Sequence, residues 1–507
     1  MKIETILQIF RLPQHRHSIR NFSGDQTLLL LSHCKSLQQL QAIHAQAITN
    51  DLISLYPSLI LNKILFSITL LSSFPTIHYA LDVFNQIPNQ STFSYNNIIR
   101  AYTLQASPLS ALRMFARMRH CVPPDSHTYP FALKACVRLR AHLLARVLHS
   151  QALKFGFVDD IFVRNTLIHV YSDPSSMAEA CLLFYENSMR DVVTYNVLID
   201  GFVKAGDTVQ ARRILDEMPA GDSVSWGTLL AGYARMKQCK EAIQLFDEMI
   251  ASGIQPDNVA LVSVLSACAQ LGTVQRGEVI HDYIKSNRIQ LDVFLSTALV
   301  DMYAKCGFIK VALDVFQSSF HKNLSTWNAI IMGLAMHGHG ELSLEYFWKM
   351  RRAGIRPDAI TFLGALVGCS HAGLVDEAQS LFNIMEDAYG VRRDLRHYGC
   401  MADLLSRAGL IDDVVRLIEK MPMQADVYVW GGLLGGCRIH GRVDVAEIAA
   451  RRLMDLDPED GGVYSIMVSM YATANRWEDV VRIRRLMSER EVKRNTGYSW
   501  IPTGSRH

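Results

Sequence analysis

Hydrophobic side chains recur along this chain with the period of an α-helix, in pairs of stripes separated by a short corner. In residues 192–222 the first stripe has the spacing i, i+3, i+4, i+7 and comprises Tyr195, Leu198, Ile199 and Phe202. The second stripe follows the corner and comprises Ala211, Ile214, Leu215 and Met218. Each stripe occupies one face of a helix, so the pattern predicts two helices joined by a turn.

The corner recurs at a regular interval. From Gly272 onward, successive corner glycines are separated by 31–36 residues, a period typical of stacked helical repeats. Lys237 stands at the corner between Gly206 and Gly272. Glycine suits this place because the residue that ends a helix often adopts a left-handed conformation. The corner glycines are Gly206, Gly272, Gly307, Gly338, Gly373, Gly409 and Gly441.

One pair of helices cannot bury both of its apolar stripes, so neighbouring pairs are expected to stack. We therefore predict an all-α fold, an α-solenoid superhelix of stacked helix-turn-helix repeats. The chain has 507 residues, which is long for a single compact core and agrees with an elongated array. Apolar residues make up 49% of the chain and charged residues 20%, a composition that excludes a largely disordered protein.

The charge of the chain limits how it could bind nucleic acid. The formal net charge is only +3, whereas proteins that bind through phosphates alone are usually more basic. An RNA partner would therefore have to be recognised largely through its bases. Basic residues are dense only in residues 482–495, which form either a solvated helix face or an RNA contact.

One apolar stretch, residues 53–77, is long enough to cross a bilayer. Pro57, Asn62 and Lys63 interrupt it, and we assign it to a repeat. We therefore expect no membrane partner.

One motif could belong to an enzyme. His339 and Glu341 have the His-x-Glu spacing of zinc-dependent nucleobase deaminases. Alignment of the repeats places them in the variable corner between two helices, and none of the ten cysteines forms a Cys-x-x-Cys pair that would complete a zinc site. We therefore predict that the chain is not an enzyme, with no catalytic residue, no metal, no cofactor and no small-molecule substrate.

Two other features have structural interpretations. One position is a cysteine in three repeats, where a small apolar side chain suits close helix packing; these residues are Cys136, Cys268 and Cys369. Two Gly-Gly pairs, at 435–436 and 461–462, are interpreted as glycines at helix boundaries rather than as a phosphate-binding loop.

Three stretches, VVTYNVLIDGFVKAG, VFLSTALVDMYAKCGFIKVALDVF and ITFLGALVGCSHAGLVDEAQSLF, resemble pentatricopeptide repeats (PPR) of the plant type. Alternating lengths of about 35, 36 and 31 residues are similar to the PLS subclass, which mixes standard, long and short repeats. The resemblance implies an array of about twelve repeats over residues 26–426. Their predicted bounds are 26–57, 58–91, 92–125, 126–160, 161–191, 192–222, 223–257, 258–292, 293–323, 324–358, 359–394 and 395–426.

The two ends of the chain differ from the array. Residues 427–494 resemble the C-terminal extension motifs of the E subgroup. The tail, 495–507, begins with NTGYSWIP, similar to the segment that precedes a DYW-type cytidine deaminase domain in longer relatives, and only TGSRH follows it. Residues 1–25 contain several arginines among apolar residues. They are interpreted as an organelle transit peptide, mitochondrial rather than chloroplast, the alternative being a frayed terminus.

In the PPR family the fifth and last residues of a repeat together recognise one RNA base. Single-stranded bases are read on their Watson–Crick edges, about one per repeat, and an Asn amide suits a pyrimidine because it both donates and accepts. The alternative interpretation of each Asn is a helix-start cap. The resemblance implies uridine readers Asn96–Asp125, Asn165–Asp191, Asn196–Asp222 and Asn328–Asp358, an adenosine reader Thr297–Asn323, and a cytidine reader Asn62–Ser91.

Other positions complete the predicted RNA preference. Fifth positions without an amide or hydroxyl should discriminate poorly; these are Pro130, Gly227, Val262, Leu363 and Gly399. Second-position side chains would stack against bases; these include Phe93, Phe162, Val193, Val224 and Phe294. The preferred RNA is then C-U-n-U-U-n-n-A-U-n-n. The pairs Asn96–Asp125 and Asn196–Asp222 lie in repeats of unusual length or order.

The resemblance implies an adaptor that binds single-stranded organelle RNA and selects a cytidine for C-to-U editing. Residues 427–494 would recruit a DYW-type deaminase in trans, with other editing cofactors. One alternative is an organelle factor for transcript stability, processing or splicing. Another is a helical solenoid that binds protein, although a peptide groove would not need Asn/Asp pairs at fixed positions.

Overall fold

The computed structural model describes residues 24–34, 36–71, 76–105, 107–186, 189–490 and 492. Residues 1–23 of the predicted transit peptide and the whole predicted tail, 495–507, lie outside the described residues. The described part consists of helices, turns and loops, without a β-strand. The predicted all-α fold of stacked helix-turn-helix repeats is confirmed.

The chain forms two compact units, Met1–Gly232 and Tyr233–His507. The boundary falls within the helix Ser223–Arg235. In the first unit the other described α-helices are Gly24–Ser32, Leu37–Thr49, Leu52–Leu55, Pro57–Leu70, Thr76–Gln86, Thr92–Leu104, Pro108–Cys121, Thr128–Leu139, His142–Lys154, Ile161–Tyr171, Met177–Tyr185, Val192–Ala205 and Thr208–Asp216, with a short 3-10 helix at Phe157–Asp159.

The second unit continues the same alternation of helices. We call the first helix of each predicted repeat its A helix and the second its B helix. The helices of this unit are Cys239–Ala251, Asn258–Leu271, Val274–Ser286, Val293–Lys305, Ile309–Ser318, Leu324–Met336, Gly340–Arg352, Ala359–Ala372, Val375–Asp387, Leu395–Arg407, Ile411–Glu419, Val427–His440, Val443–Leu456, Gly461–Thr473 and Trp477–Glu489.

The turn between A and B helices depends on a left-handed residue. Gly206 ends the helix Val192–Ala205 with φ 82°, a conformation that costs glycine little because it has no Cβ. All the other predicted corner glycines also have positive φ, and so does Lys237, with φ 58°. The sequence alignment that placed Lys237 at a glycine corner is therefore confirmed.

The predicted apolar stripes form the core. A helices pack on their own B helices, as Val192–Ala205 does on Thr208–Asp216, and on neighbouring A helices, as Leu324–Met336 does on Ala359–Ala372. Leu198, Ile199, Ile330 and Ile331 are completely buried. Burying such a side chain contributes roughly 1.5–3 kcal/mol, so the stacking of repeats supplies most of the stability. Cys136, Cys268 and Cys369 are also buried, as their small size and common position predicted.

The helix-boundary interpretation of the Gly-Gly pair at 435–436 is wrong. Both glycines lie inside the helix Val427–His440, whereas Gly461 does begin a helix. A Cβ on Gly436 would stand 2.4 Å from the Ser406 Cβ of the preceding A helix. Gly436 is therefore needed for close packing of the helices Leu395–Arg407 and Val427–His440, which the sequence context did not reveal.

The membrane-like stretch at 53–77 is not one continuous helix. It contains the helices Leu52–Leu55 and Pro57–Leu70, and Tyr56 between them has an irregular backbone. Across the described residues, every helix is too short or too polar to span a bilayer.

Candidate functional site

The last residue of a repeat caps the next A helix. The side chain of Asp191 accepts the backbone N–H of Thr194 over 2.8 Å, and so satisfies one of the free N–H groups at the helix start. Asp257, Asp292, Asn323 and Asp358 occupy the same N-cap position in their repeats. The cap fixes the last-position side chain at the start of the neighbouring A helix.

The fifth residue of a repeat lies beside this cap. Asn165 is in the A helix of repeat 161–191, and its Nδ2 donates to Asp191 Oδ1 over 3.1 Å. The contact spans 26 residues of sequence and forms because adjacent A helices pack side by side. The corresponding Nδ2–Oδ1 distances are 2.9 Å for Asn96–Asp125, 3.3 Å for Asn196–Asp222 and 3.1 Å for Asn328–Asp358.

All four predicted uridine pairs are therefore brought into contact, including the two in repeats of unusual length or order. The interpretation of these asparagines as helix caps is wrong. Each asparagine lies inside its A helix, and the N-cap position before that helix is occupied by the last residue of the preceding repeat. In repeat 192–222, for example, the cap is Asp191 and Asn196 lies five residues beyond it.

A third residue, which the sequence analysis missed, completes the cluster. It is the hydroxyl residue at the third position of the following repeat. Thr194 Oγ1 lies 2.7 Å from Asn165 Oδ1 and 2.6 Å from Asp191 Oδ1. Thr128 and Thr361 make the same contacts with Asn96 and Asn328, at 2.7 and 2.6 Å. The periodic signal was present, since a Thr or Ser stands three residues after the last residue of each of the six predicted reader pairs.

The third residue also connects the two pairs that do not touch directly. Thr297 Oγ1 lies 2.7 Å from Thr326 Oγ1, which in turn donates to Asn323 Oδ1 over 2.9 Å. Asn62 and Ser91 are linked in the same manner through Ser94, whose hydroxyl donates to Asn62 Oδ1 over 2.7 Å and lies 3.1 Å from the Ser91 hydroxyl.

Repeat 192–222 departs from this arrangement. The third member of its cluster is Ser225 of the following repeat, whose hydroxyl lies 2.7 Å from Asp222 Oδ1 and 3.4 Å from the sulfur of Met218. Asn196 Oδ1 is buried and has no hydrogen-bond partner among the described residues. An unpaired buried carbonyl oxygen is costly, so this amide is held less firmly than its three counterparts.

Two of the clusters lower the pKa of their carboxyl group. Partial burial opposes ionisation of Asp191, but hydrogen bonds from Thr194 and Asn165 outweigh it and lower the pKa of the carboxyl. Burial also raises the pKa of Asp222, but hydrogen bonds from Ser225 and Asn196 lower it by more, so the pKa lies below its usual value. A charged acceptor holds the Asn N–H more strongly than a neutral one.

The second-position side chains are exposed. Phe294 is 70% exposed and Phe162 65%, although large apolar side chains are usually buried. Phe93, Val193 and Val224 are also exposed, and so are the second-position residues Val259, Ile360 and Tyr428. Each stands three residues before its fifth-position residue, so an apolar surface adjoins each polar cluster.

Two of the fifth positions without hydrogen-bonding side chains border open space. Leu363 and Gly399 line a groove of about 820 Å³, together with Tyr428 and Gly431. A Cβ on Gly399 would meet only Tyr428, at 3.9 Å. At the two fifth positions this groove offers no amide or hydroxyl group.

The deaminase-like motif lies at a helix corner, as predicted. His339 is the residue before the helix Gly340–Arg352, and both His339 and Glu341 are exposed. Within the described ranges, no cluster of three or more His, Cys, Asp or Glu side chains is placed to hold a metal ion. Burial raises the pKa of the Cys268 thiol to about 11 and that of Cys369 to about 12, so neither is poised as a thiolate.

Models of known families match much of the chain. The model described as E motif matches residues 440–502. Models described as PPR repeat match residues 93–121, 186–219, 295–321, 325–355, 360–388 and 396–424, and one described as PPR repeat family matches 221–270.

Several curated proteins resemble the chain over nearly its whole length. A pentatricopeptide repeat-containing protein of Arabidopsis thaliana is 55% identical, over 95% of this chain and 99% of its own. A second such protein is 41% identical, over 94% and 77%. A third, whose name includes "mitochondrial", is 34% identical, over 97% and 88%.

The fold is also similar to a solved structure. The crystal structure of the pentatricopeptide repeat protein PPR10 from maize aligns with a TM-score of 0.52 and 17% identity, covering 92% of this chain and 83% of that one. At this identity the similarity concerns the fold alone.

Proposed function

Because this chain belongs to the pentatricopeptide repeat family and carries an E motif, we propose that it is a sequence-specific adaptor for single-stranded RNA. The polar clusters would read bases one per repeat, and the exposed second-position side chains would stack against them. The adaptor has no chemistry of its own in this proposal and selects a site for another protein.

The observation that carries the proposal is the recurrence of one cluster at the same place in several repeats. Four Asn amides are each held by a last-position Asp carboxylate, at 2.9–3.3 Å. After these contacts an amide still has one N–H and one oxygen lone pair to offer a base edge. Structural capping alone needs the Asp but not the Asn, so the pairing favours recognition over stability.

The proposed RNA is C-U-n-U-U-n-n-A-U-n-n. Asn62–Ser91 would take the cytidine, and Thr297–Asn323 the adenosine. The four Asn–Asp pairs would take the uridines. The unspecified positions correspond to fifth residues with no hydrogen-bonding side chain.

The adaptor is further proposed to act in C-to-U editing of organelle transcripts. Residues 427–494 would recruit a DYW-type deaminase from another chain, and the edited cytidine would lie four places after the final n. The matched E motif supports this role, and the mitochondrial relative supports mitochondrial over chloroplast action. Factors for transcript stability or splicing are an alternative that the E motif disfavours.

The decisive experiment is binding of the purified chain to a short RNA with the proposed sequence, at fixed salt because salt sets the phosphate contribution. The control RNA has the A-U step exchanged for U-A. We expect tight binding that the exchange weakens. Equal binding to both would refute the proposed register, and binding to neither would favour a protein-binding solenoid. Editing is tested separately, by adding a DYW-type deaminase and the target cytidine.

A further inference from the structure

We infer that the third-position hydroxyl of the following repeat is a positioning residue for base choice, and that repeat 192–222, which lacks this contact, is a permissive pyrimidine site. The inference rests on the proposed function. It assigns a role in specificity to Thr128, Thr194 and Thr361, and a relaxed specificity to Asn196.

The choice between uridine and cytidine depends on the orientation of the Asn amide. Uridine presents an N–H donor at N3 beside a carbonyl acceptor at O4, and cytidine presents an acceptor at N3 beside an amino donor at N4. An amide can pair with either edge, but the two pairings require opposite placements of its oxygen and nitrogen. Whatever prevents the amide from flipping therefore enforces one pyrimidine.

In three repeats the amide is held at both ends. Asn328 Nδ2 donates to Asp358 Oδ1 over 3.1 Å, and Asn328 Oδ1 lies 2.6 Å from Thr361 Oγ1. Asp358 Oδ1 already receives the amide N–H and the backbone N–H of Thr361, so the single hydroxyl proton is best used on the Asn oxygen. A flip would break this bond and set the Asn oxygen against a carboxylate oxygen.

Burial strengthens the hold. Thr128, Thr194 and Thr361 are at most 1% exposed, so water cannot replace their hydroxyls. Each hydroxyl is also fixed by accepting a backbone N–H from the last-position residue, at 3.0–3.2 Å. The hydroxyl is consequently oriented by the helix cap before any RNA arrives.

In repeat 192–222 the amide is held at one end only. Ser225 directs its hydroxyl to Asp222 and Met218, and Asn196 Oδ1 is left without a partner among the described side chains and backbone. The remaining bond, Asn196 Nδ2 to Asp222 Oδ1, is 3.3 Å, the longest of the four. The flipped amide that suits cytidine is therefore less disfavoured here.

The test compares single uridine-to-cytidine changes in the proposed RNA, using the full chain and fluorescence anisotropy. A neutral hydrogen bond contributes about 1 kcal/mol, equivalent to roughly five-fold in affinity. We expect cytidine to be penalised roughly five-fold less opposite repeat 192–222 than opposite repeats 161–191 and 324–358. Equal penalties at the three places would overturn the inference. Absence of binding to the matched RNA would instead refute the proposed function itself.

Two variants test the hydroxyl directly. Thr361→Val removes it at nearly constant shape and should reduce the penalty for cytidine opposite repeat 324–358 only, while Thr361→Ser restores it. Ser225→Thr should increase the penalty opposite repeat 192–222. Unchanged penalties in folded Thr361→Val would contradict the role. If that variant does not fold, the wild-type comparison and Ser225→Thr decide the question.

Discussion

His281 Nδ1 lies 2.9 Å from the phenolic oxygen of Tyr303, and this contact joins the B helix of repeat 258–292 to the A helix of repeat 293–323. His149 and Tyr171 form the same contact, at 3.0 Å, between repeats 126–160 and 161–191. In both cases a longer repeat is followed by a short one. The His–Tyr pair is therefore a recurrent feature of this type of junction, and it places a titratable group in the interface between repeats.

The junction histidines should make the fold sensitive to mild acid. Burial lowers the pKa of His281 and of His149, so protonation favours the unfolded chain. Stability should be highest above the unfolded histidine pKa of about 6.5 and decline as the pH falls below it toward the folded pKa. Thermal unfolding measured between pH 8 and pH 5 checks this.

The matched variants are His281→Gln and His149→Gln, which can still hydrogen-bond to tyrosine but do not titrate. The double variant should show a shallower fall in the unfolding temperature with acid than the wild type. A residual fall is expected because burial also lowers the pKa of His44 and of His169. An identical pH profile would show that the two junctions do not contribute.

Two adjacent glycines should respond oppositely to alanine. A Cβ on Gly436 would meet Ser406 Cβ at 2.4 Å and Ser406 backbone atoms at 2.9 Å, whereas one on Gly435 would have open space. Gly436→Ala should therefore destabilise the protein by about 1–3 kcal/mol through overpacking. Gly435→Ala should be neutral or stabilising, by up to about 1 kcal/mol, because alanine favours the helix interior. Urea unfolding of both variants gives the comparison.

Removing a second-position aromatic ring should weaken RNA binding without destabilising the fold. Phe294 is 70% exposed, so Phe294→Ala removes little from the core. A stacking contact contributes about 1–3 kcal/mol per base, and its loss should affect all RNAs similarly, because stacking tolerates any base. Phe320→Ala, at a site that is 99% exposed but outside the second positions, is the control and should leave the affinity unchanged.

The cysteines should differ sharply in reactivity. Cys121 is exposed, while five cysteines are buried: Cys136, Cys239, Cys268, Cys369 and Cys437. Burial raises the pKa of the Cys136 thiol to about 11, which further reduces the thiolate that reacts. A thiol reagent should therefore modify Cys121 rapidly in the native protein and the five buried cysteines only on unfolding. Mass spectrometry of the labelled peptides identifies the order.

The sequence by itself determined the features that depend on local chemistry and regular spacing. The helical stripes predicted the buried faces, since periodicity of 3.6 residues leaves little choice of core. The recurrence of glycine at one position predicted a left-handed corner, because glycine adopts positive φ at little cost. The alignment placed Lys237 at the same corner. The interval of 31–36 residues, together with the family resemblance, indicated which side chains should be compared across repeats.

Only the tertiary structure decided which polar atoms meet. Asn165 and Asp191 are 26 residues apart, and the third member, Thr194, belongs to the next repeat; these contacts exist because neighbouring A helices pack closely. The same packing explains Gly436, whose requirement comes from Ser406 in another helix. It also separates Asn196 from the asparagines of the other three Asn–Asp pairs. Periodicity makes all four equivalent, but the direction of the Ser225 hydroxyl depends on the atoms that surround it in space.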